Sequence, residues 1–227
     1  MVALLLAPLA VSLAQAAASA APATRLSVGA VVDKMQKRYD QASDFRARFT
    51  QKYTTVAFNR TKTSTGEVLF RKPGLMRWNY DKPEAKMFLF NGQVAWLYEP
   101  EDKQAFKQDV RQTQLPAALS FLTGKGKLAH EFDVSFATET LPGRPQDYRL
   151  SLKPKRPQES YKSITFVVDP TSFYVTQSVL VDSQGNVNDI AFVDLAVNTK
   201  IPQSAFRWSP PPGTREIDTS KVGAGQK

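Results

Sequence analysis

Polar and apolar positions alternate along most of this chain, and the alternation changes period only twice. Over residues 24–40, Val28, Val31, Val32, Met35 and Tyr39 recur at helical spacing, while Asp33, Lys34, Gln36 and Lys37 are polar. This predicts an amphipathic helix with Ser27 as N-cap. From residue 44 the period falls to two. Phe45, Ala47, Phe49 and Gln51 share one face, and Arg46, Arg48, Thr50 and Lys52 the other, as in a half-buried strand. Strands are expected over 66–72 and 75–80 around Pro73-Gly74, and over 84–90 and 93–99 around Asn91-Gly92, which reads as a type I′ hairpin. A further strand follows over 103–109.

The period then returns to helical for one short stretch. Leu115, Ala118, Leu119 and Leu122 predict a helix with Pro116 in its first turn and Gly124 as its stop. Strands resume over 131–137, 146–153, 161–169, 173–182 and 187–198, and a last one is expected over 205–208. Pro210 to Gly213 and the polar end read as loose. No internal repeat or linker divides the series. Several strands carry large apolar groups on both faces: Leu75 and Met76, Phe88 and Leu89, Trp96 and Leu97. A sheet this wide must curl, split or close. With both faces apolar, it needs cover on both, or a cavity on one. The expected fold is therefore mainly β (α+β): an incomplete antiparallel β-barrel of about 11 strands, with helices across its mouth.

The first twenty residues differ in kind. An apolar run, Val2 to Val11, leads into small residues ending Ala18-Ser19-Ala20, the pattern of a secretory signal peptide cleaved near Ala20, although no Lys or Arg precedes the run. The expected organisation is a signal peptide over 1–20, a single domain over 24–213 and a flexible tail over 214–227. The chain has no cysteine. An exported form would therefore be held by its core rather than by disulfides, and could carry no N-terminal lipid on cysteine. Net charge is +9, from 30 Lys+Arg against 21 Asp+Glu. That balance suits an anionic surface, an acidic partner or plain solubility. No basic run forms a nucleic-acid arm, and aromatic and basic residues alternate onto opposite faces, so no strand offers a stacking platform with phosphate contacts.

Reactive groups are sparse. His130 is the one histidine, and with no cysteine the usual zinc ligand sets are missing. No nucleophile elbow or glycine-rich phosphate loop occurs. Gly66 and Gly74 read as isolated turn glycines. The carboxylates fall mostly at turns or beside Lys or Arg. Nothing points to an enzyme, a metal or a cofactor. What remains is a set of large apolar strand residues that need a core or a ligand: nine on the earlier strands, Phe49, Leu69, Met76, Trp78, Tyr80, Phe88, Phe90, Trp96 and Tyr98, and further along Phe132, Tyr148 and Phe166.

Four stretches together resemble a known family: Phe45-Arg-Ala-Arg-Phe-Thr-Gln51; Gly66-Glu-Val-Leu-Phe-Arg-Lys-Pro-Gly-Leu-Met-Arg-Trp78; Asn91-Gly-Gln-Val-Ala-Trp-Leu-Tyr-Glu-Pro100; and 206–213. In order and spacing they are similar to the periplasmic outer-membrane lipoprotein carrier family, LolA, from about Val28 to Gly213. The resemblance implies an incomplete β-barrel lidded by helices over a hydrophobic cavity, and no catalytic residues. It implies a monomeric soluble carrier that takes acylated lipoproteins from an ABC-type release complex in the inner membrane to an outer-membrane acceptor lipoprotein. The acyl cavity would then be walled by the nine residues above, with Leu115, Leu119 and Leu122 on the lid helix. The family's basic residue before the proline, thought to latch the lid, corresponds to Lys72, and Arg71 or Arg77 would share that role. Two other readings stay open: a periplasmic module sensing lipoproteins or lipids, and a carrier of free lipids.

Overall fold

The computed structural model describes residues 25–109, 126–138, 143–156 and 161–219. The expected signal peptide and the lid helix with Leu115, Leu119 and Leu122 lie outside the described residues. Helix α1 (Val28–Gln41) opens the described chain. Ser27 caps it as expected, its Oγ accepting from the Ala30 N–H at 3.3 Å. Its apolar stripe, Val31, Val32, Met35 and Tyr39, is buried. Each such side chain contributes roughly 1.5–3 kcal/mol when removed from water.

Twelve strands form one sheet among the described residues. They are β1 (Asp44–Thr55), β2 (Arg60–Arg71), β3 (Leu75–Lys82), β4 (Lys86–Phe90), β5 (Val94–Glu99), β6 (Gln104–Asp109), β7 (Phe132–Phe136), β8 (Tyr148–Pro154), β9 (Tyr161–Val168), β10 (Val175–Asp182), β11 (Val187–Val197) and β12 (Arg215–Asp218). The spatial order is β12-β6-β5-β4-β3-β2-β1-β11-β10-β9-β8-β7. Two meanders thus join at the β1–β11 seam, and the sheet stays open between β12 and β7. A short helix, α2 (Leu128–Glu131), leads into β7. The mainly β, open-barrel expectation holds.

Four local expectations are corrected. β2 starts six residues before the expected 66. Its first half, Arg60-Thr-Lys-Thr-Ser-Thr65, has no apolar face, but it pairs fully with β1, and the Thr54 and Thr61 hydroxyls lie 2.8 Å apart. The Asn91-Gly92 hairpin is not type I′. Only Gly92 has positive φ (90°), and the Asn91 Oδ1 instead accepts from the Gln93 and Val94 N–H groups at 3.1 and 2.9 Å. The expected strand over 205–208 is a 3-10 turn, Gln203–Phe206. Finally, 215–218, expected to be tail, is strand β12, paired parallel with β6 and tied to it by a Lys107–Glu216 ion pair at 3.4 Å.

The sheet is apolar on both faces, as the paired residues anticipated, and each face has its own cover. On the concave face, α1 packs against β7–β10, with Met35 and Tyr39 among Leu150, Leu152, Ile164 and Phe166. On the convex face of β2–β5, Leu89 and Trp96 are covered by the segment between β11 and β12, through Ile201, Phe206 and Trp208. That strap is pinned at its start by the buried carboxylate of Asp44, whose oxygens accept from the Thr199 N–H (2.8 Å), the Thr199 hydroxyl (2.9 Å) and the Lys200 N–H (3.1 Å). Burial pushes this carboxyl up, but hydrogen bonds from the Ser43 hydroxyl, the Thr199 hydroxyl and N–H and the Ile201 N–H outweigh it and hold its pKa below the ordinary value.

The β9–β10 turn is held by a second carboxylate. Asp169 accepts from the Thr171 and Ser172 N–H groups at 2.9 and 2.6 Å and from the Arg144 guanidinium. Arg144 also grips the buried Asp147 at 2.8 Å. Burial raises the Asp169 pKa, but the Ser172 donors and Arg144 more than reverse this and bring it to about 2, against an ordinary 3.8. The folded carboxyl titrates below the unfolded one, so its stabilisation is complete above the ordinary value and is lost as pH falls through about 2. A shift of this size corresponds to on the order of 2 kcal/mol. Asp169→Asn should therefore lower unfolding stability at pH 7 by about that amount. It should also flatten the loss of stability on acidification below the ordinary carboxylate pKa, both measured by urea titration across pH.

Candidate functional site

Where α1 ends, no described residue covers the concave face of the sheet. The gap is a cavity of about 400 Å³, within the range of roughly 300–1,000 Å³ typical of small-molecule sites. One wall is the first meander, with Phe45 and Ala47 of β1, Phe70 of β2, Met76, Trp78 and Tyr80 of β3, and Phe88 of β4. The opposite wall is the second, with Ile164 and Phe166 of β9, Leu180 of β10, and Ile190, Phe192 and Leu195 of β11. Tyr39, in the last turn of α1, closes one end.

Strand parity explains the first wall. In β3, every second residue from Met76 faces the cavity, and cross-strand register places Phe90 opposite Met76 and Phe88 opposite Trp78. The aromatic rings brace one another. Phe49 meets Trp78 and Tyr80 edge-on at centroid separations of 4.8 and 5.0 Å, and Phe45 stacks on Phe70 at 4.5 Å. Burial pushes the Tyr80 phenol up, so it stays neutral.

Of the residues singled out from sequence, Met76, Trp78, Tyr80 and Phe88 line the cavity. Phe49 and Phe90 face the same way but are buried behind its lining, at 2 % and 7 % exposure. Leu69, Trp96 and Tyr98 do not belong to it. They lie on the convex face, where Trp208 packs against both Trp96 and Tyr98 at 5.2 and 5.0 Å. The physical reason is parity. Leu89 pairs with Trp96 and Met87 with Tyr98, so the cavity-facing residues of β5 are Ala95 and Leu97. A strap over the back of the sheet supplies the second apolar environment, and nothing in the strand's own sequence separates the two.

Of the second wall the sequence reading singled out only Phe166, and its β11 part escaped because that strand changes face midway. Asn188, Ile190 and Phe192 point inward; strict alternation would then send Asp194 in. Instead Asp194 takes φ 55°, the register with β1 slips between Arg46 and Arg48, and Leu195 takes the inward place. This is a β-bulge, which re-aims side chains by inserting one residue. The signal that could have found this wall was the run of apolar residues Ile190, Phe192 and Leu195, whose spacing breaks by one.

The three basic residues around the Pro73-Gly74 turn bind carbonyls of the framework. The Lys72 ammonium donates to the Tyr39 and Asp40 carbonyls at 2.5 and 3.0 Å, at the C-terminal end of α1, where a cation is favoured by the helix dipole. Arg71 donates to the Ile201 carbonyl. Arg77 donates to the Ala205 carbonyl and the Asn79 Oδ1, each at 2.9 Å. Lys72 thus fixes the helix end that bounds the cavity, and the two arginines clamp the strap.

Gly66 is not a turn residue but lies within β2, opposite Phe49 and beside a register shift against β3. A Cβ there would fall 2.0 Å from the Asn79 carbonyl oxygen and 2.9 Å from the Phe49 ring. Glycine is required so that the Phe49 ring can cross the backbone and support Trp78 and Tyr80.

No group of three or more His, Cys, Asp or Glu residues able to hold a metal occurs among the described residues. No described helix is long and apolar enough to cross a membrane.

Residues 40–209 match the family model described as outer membrane lipoprotein carrier protein LolA. An outer-membrane lipoprotein carrier protein of Pseudomonas entomophila is 30 % identical over 189 residues, covering 82 % of this chain and 87 % of the relative. One of Neisseria meningitidis is 29 % identical over 182 residues, covering 80 % and 84 %. Among solved structures, an uncharacterized conserved protein from Thermus thermophilus superposes with a TM-score of 0.53 at 12 % identity, covering 84 % of this chain and 98 % of that one. This last likeness concerns the fold.

Gly66→Ala should destabilise the protein by roughly 1–3 kcal/mol through overpacking, read as a lower denaturant midpoint, with Trp78 fluorescence shifted in the native state.

Proposed function

The chain belongs to the LolA outer-membrane lipoprotein carrier family, and on that premise we propose that it is a non-enzymatic periplasmic carrier, binding the acyl chains of lipoproteins in its concave cavity. The observation that carries this reading is the cavity itself, walled by Phe45, Phe70, Met76, Trp78, Phe88, Ile190 and Phe192 on the face of the sheet that α1 leaves bare. Exposing an acyl chain to water costs about 0.8 kcal/mol per methylene, hence on the order of 11 kcal/mol for a chain of roughly fourteen. A lipoprotein crossing water needs those chains covered. Met76 and the edges of the aromatic rings can fit chains of varied length without a rigid match.

In this reading the cargo is received from an inner-membrane ABC-type release complex and surrendered to an outer-membrane acceptor. The names of the relatives and the apolar lining support the cargo class. The donor and acceptor follow from the family resemblance of the sequence.

Protein purified from the periplasm should carry acylated peptides, identified by mass spectrometry after denaturing extraction. Free phospholipid alone would favour a general lipid carrier instead. Trp78→Glu, which places a carboxylate among the cavity rings, should weaken binding of a synthetic diacyl lipopeptide by on the order of a hundredfold, because the charge must be desolvated or the chain excluded. Far-UV circular dichroism should be unchanged. Wild-type affinity in this variant would place acyl binding elsewhere on the molecule.

A further inference from the structure

The cavity is not uniformly apolar, and its polar groups are sorted by position. Strand register sets the order. At the end nearest α1 and the β3 start, the lining is Phe45, Phe70, Met76, Trp78 and Tyr39, whose hydroxyl already accepts from the Val175 N–H at 3.2 Å. Toward the β1–β2 tip and the β10–β11 turn come Gln51, Ser178, Asn188 and Tyr161. Two of these are already paired, the Gln51 Nε2 donating to the Asn188 Oδ1 at 2.8 Å. Tyr161 is different. It is 3 % exposed, it lines the cavity, and its hydroxyl is buried with no hydrogen-bond partner among the described residues.

A buried hydroxyl left unpaired costs roughly 1–3 kcal/mol. Phenylalanine at this position would avoid that cost with nearly the same shape. Burial raises the Tyr161 pKa, and the nearby charge of Glu131 raises it further, so the group remains a donor at neutral pH. An unpaired donor carried on a ring that lines an apolar cavity calls for an acceptor that arrives with the ligand as the ring yields to it. A hydrocarbon chain has none. A fatty-acyl chain has one at its head, the carbonyl oxygen of its ester.

Resting on the carrier reading above, we propose that the Tyr161 hydroxyl donates a hydrogen bond to the ester carbonyl of a bound fatty-acyl chain. This fixes the direction of the cargo. The glycerol end lies toward the β1–β2 tip, beside Tyr161 and the Gln51–Asn188 pair, and the methyl ends point toward Phe45, Phe70 and Met76. The same ester occurs in the diacylglyceryl group of a lipoprotein and in a phospholipid; the chemistry read by Tyr161 is shared.

The test compares ester and ether ligands on the full-length protein and on Tyr161→Phe. The probes are a synthetic dipalmitoyl lipopeptide and dipalmitoyl phosphatidylglycerol, each beside its dihexadecyl ether analogue, which keeps the chains but lacks the carbonyls. Affinities are measured by displacement of a fluorescent fatty acid. Wild type should favour each bound ester over its ether by about three- to tenfold, the range of one net hydrogen bond. Tyr161→Phe should erase the preference by weakening the esters alone, while its melting temperature in the absence of ligand stays equal or rises. That opposite sign separates a ligand contact from a structural role. Preference with the lipopeptide only would identify lipoprotein as the source, and with both, the ester itself. Binding of all probes with no ester preference, or a preference kept in Tyr161→Phe, overturns the assignment of Tyr161 and leaves the carrier reading standing. No binding of any probe by wild type overturns both.

Discussion

A single sheet with large apolar residues on both faces cannot stand in water, and the rest of this architecture follows from how each face is covered. The convex side of β2–β5 is sealed by the chain returning from β11, which lays Ile201, Phe206 and Trp208 over Leu89 and Trp96 before adding β12 to the open edge at β6. Among the described residues the concave side is covered only as far as α1 reaches. Its stripe fills the trough over β7–β10 and stops at Tyr39. Among the described residues the cavity is the portion of the concave face beyond that helix, and the helix end bounds it on one side. Lys72, bonded to the last carbonyls of α1, therefore bears on the cavity without lining it.

The excess of basic residues finds part of its use in the same covering problem. A strap without regular secondary structure exposes carbonyls that no strand pairs with, and such groups must be satisfied where they are buried. Arg71 and Arg77 reach from the convex face of β2 and β3 to the carbonyls of Ile201 and Ala205. Asp44 supplies acceptors for the N–H groups at the strap's start, where Asn198 and Lys200 both take left-handed backbone conformations. Asp44, Arg71 and Arg77, on the polar rows of β1–β3, are thus the means by which the strap is held over the back of the sheet.

Much of this was legible in the sequence because period and punctuation are local properties. The eleven strands from β1 to β11 and the α1 stripe follow from them, as does the inward row Phe45, Ala47, Phe49 and Gln51. What was not legible depends on neighbours distant in the chain. Trp96 and Tyr98 look like cavity residues until the strap is known to cover their side. Leu195 looks misplaced until the bulge at Asp194 is seen, and that bulge exists only against β1. Arg60 to Thr65 has no apolar face to announce a strand and is extended because β1 pairs with it. Gly66 reads as punctuation, and only the Phe49 ring and the Asn79 carbonyl show why no larger residue fits.

A carrier must also let go, and the energetics of the lining bear on that step. An acyl chain gains nearly the same free energy on leaving water for any apolar surroundings, about 0.8 kcal/mol per methylene. Moving from this cavity into a membrane therefore leaves the chain term almost balanced. The direction of transfer is then decided by smaller differences: what the polar end of the ligand gives up, and what the emptied cavity costs the protein. An apolar cavity with rings on both walls loses dispersion contacts when it empties, which favours keeping the cargo. The polar groups gathered at one end act differently. Gln51 and Asn188 already share one hydrogen bond without ligand, so that donor and acceptor add little to retention. A pocket of this composition would hold acyl chains against water strongly and against another apolar phase only weakly, which is the balance that the proposed transfer between two membranes requires.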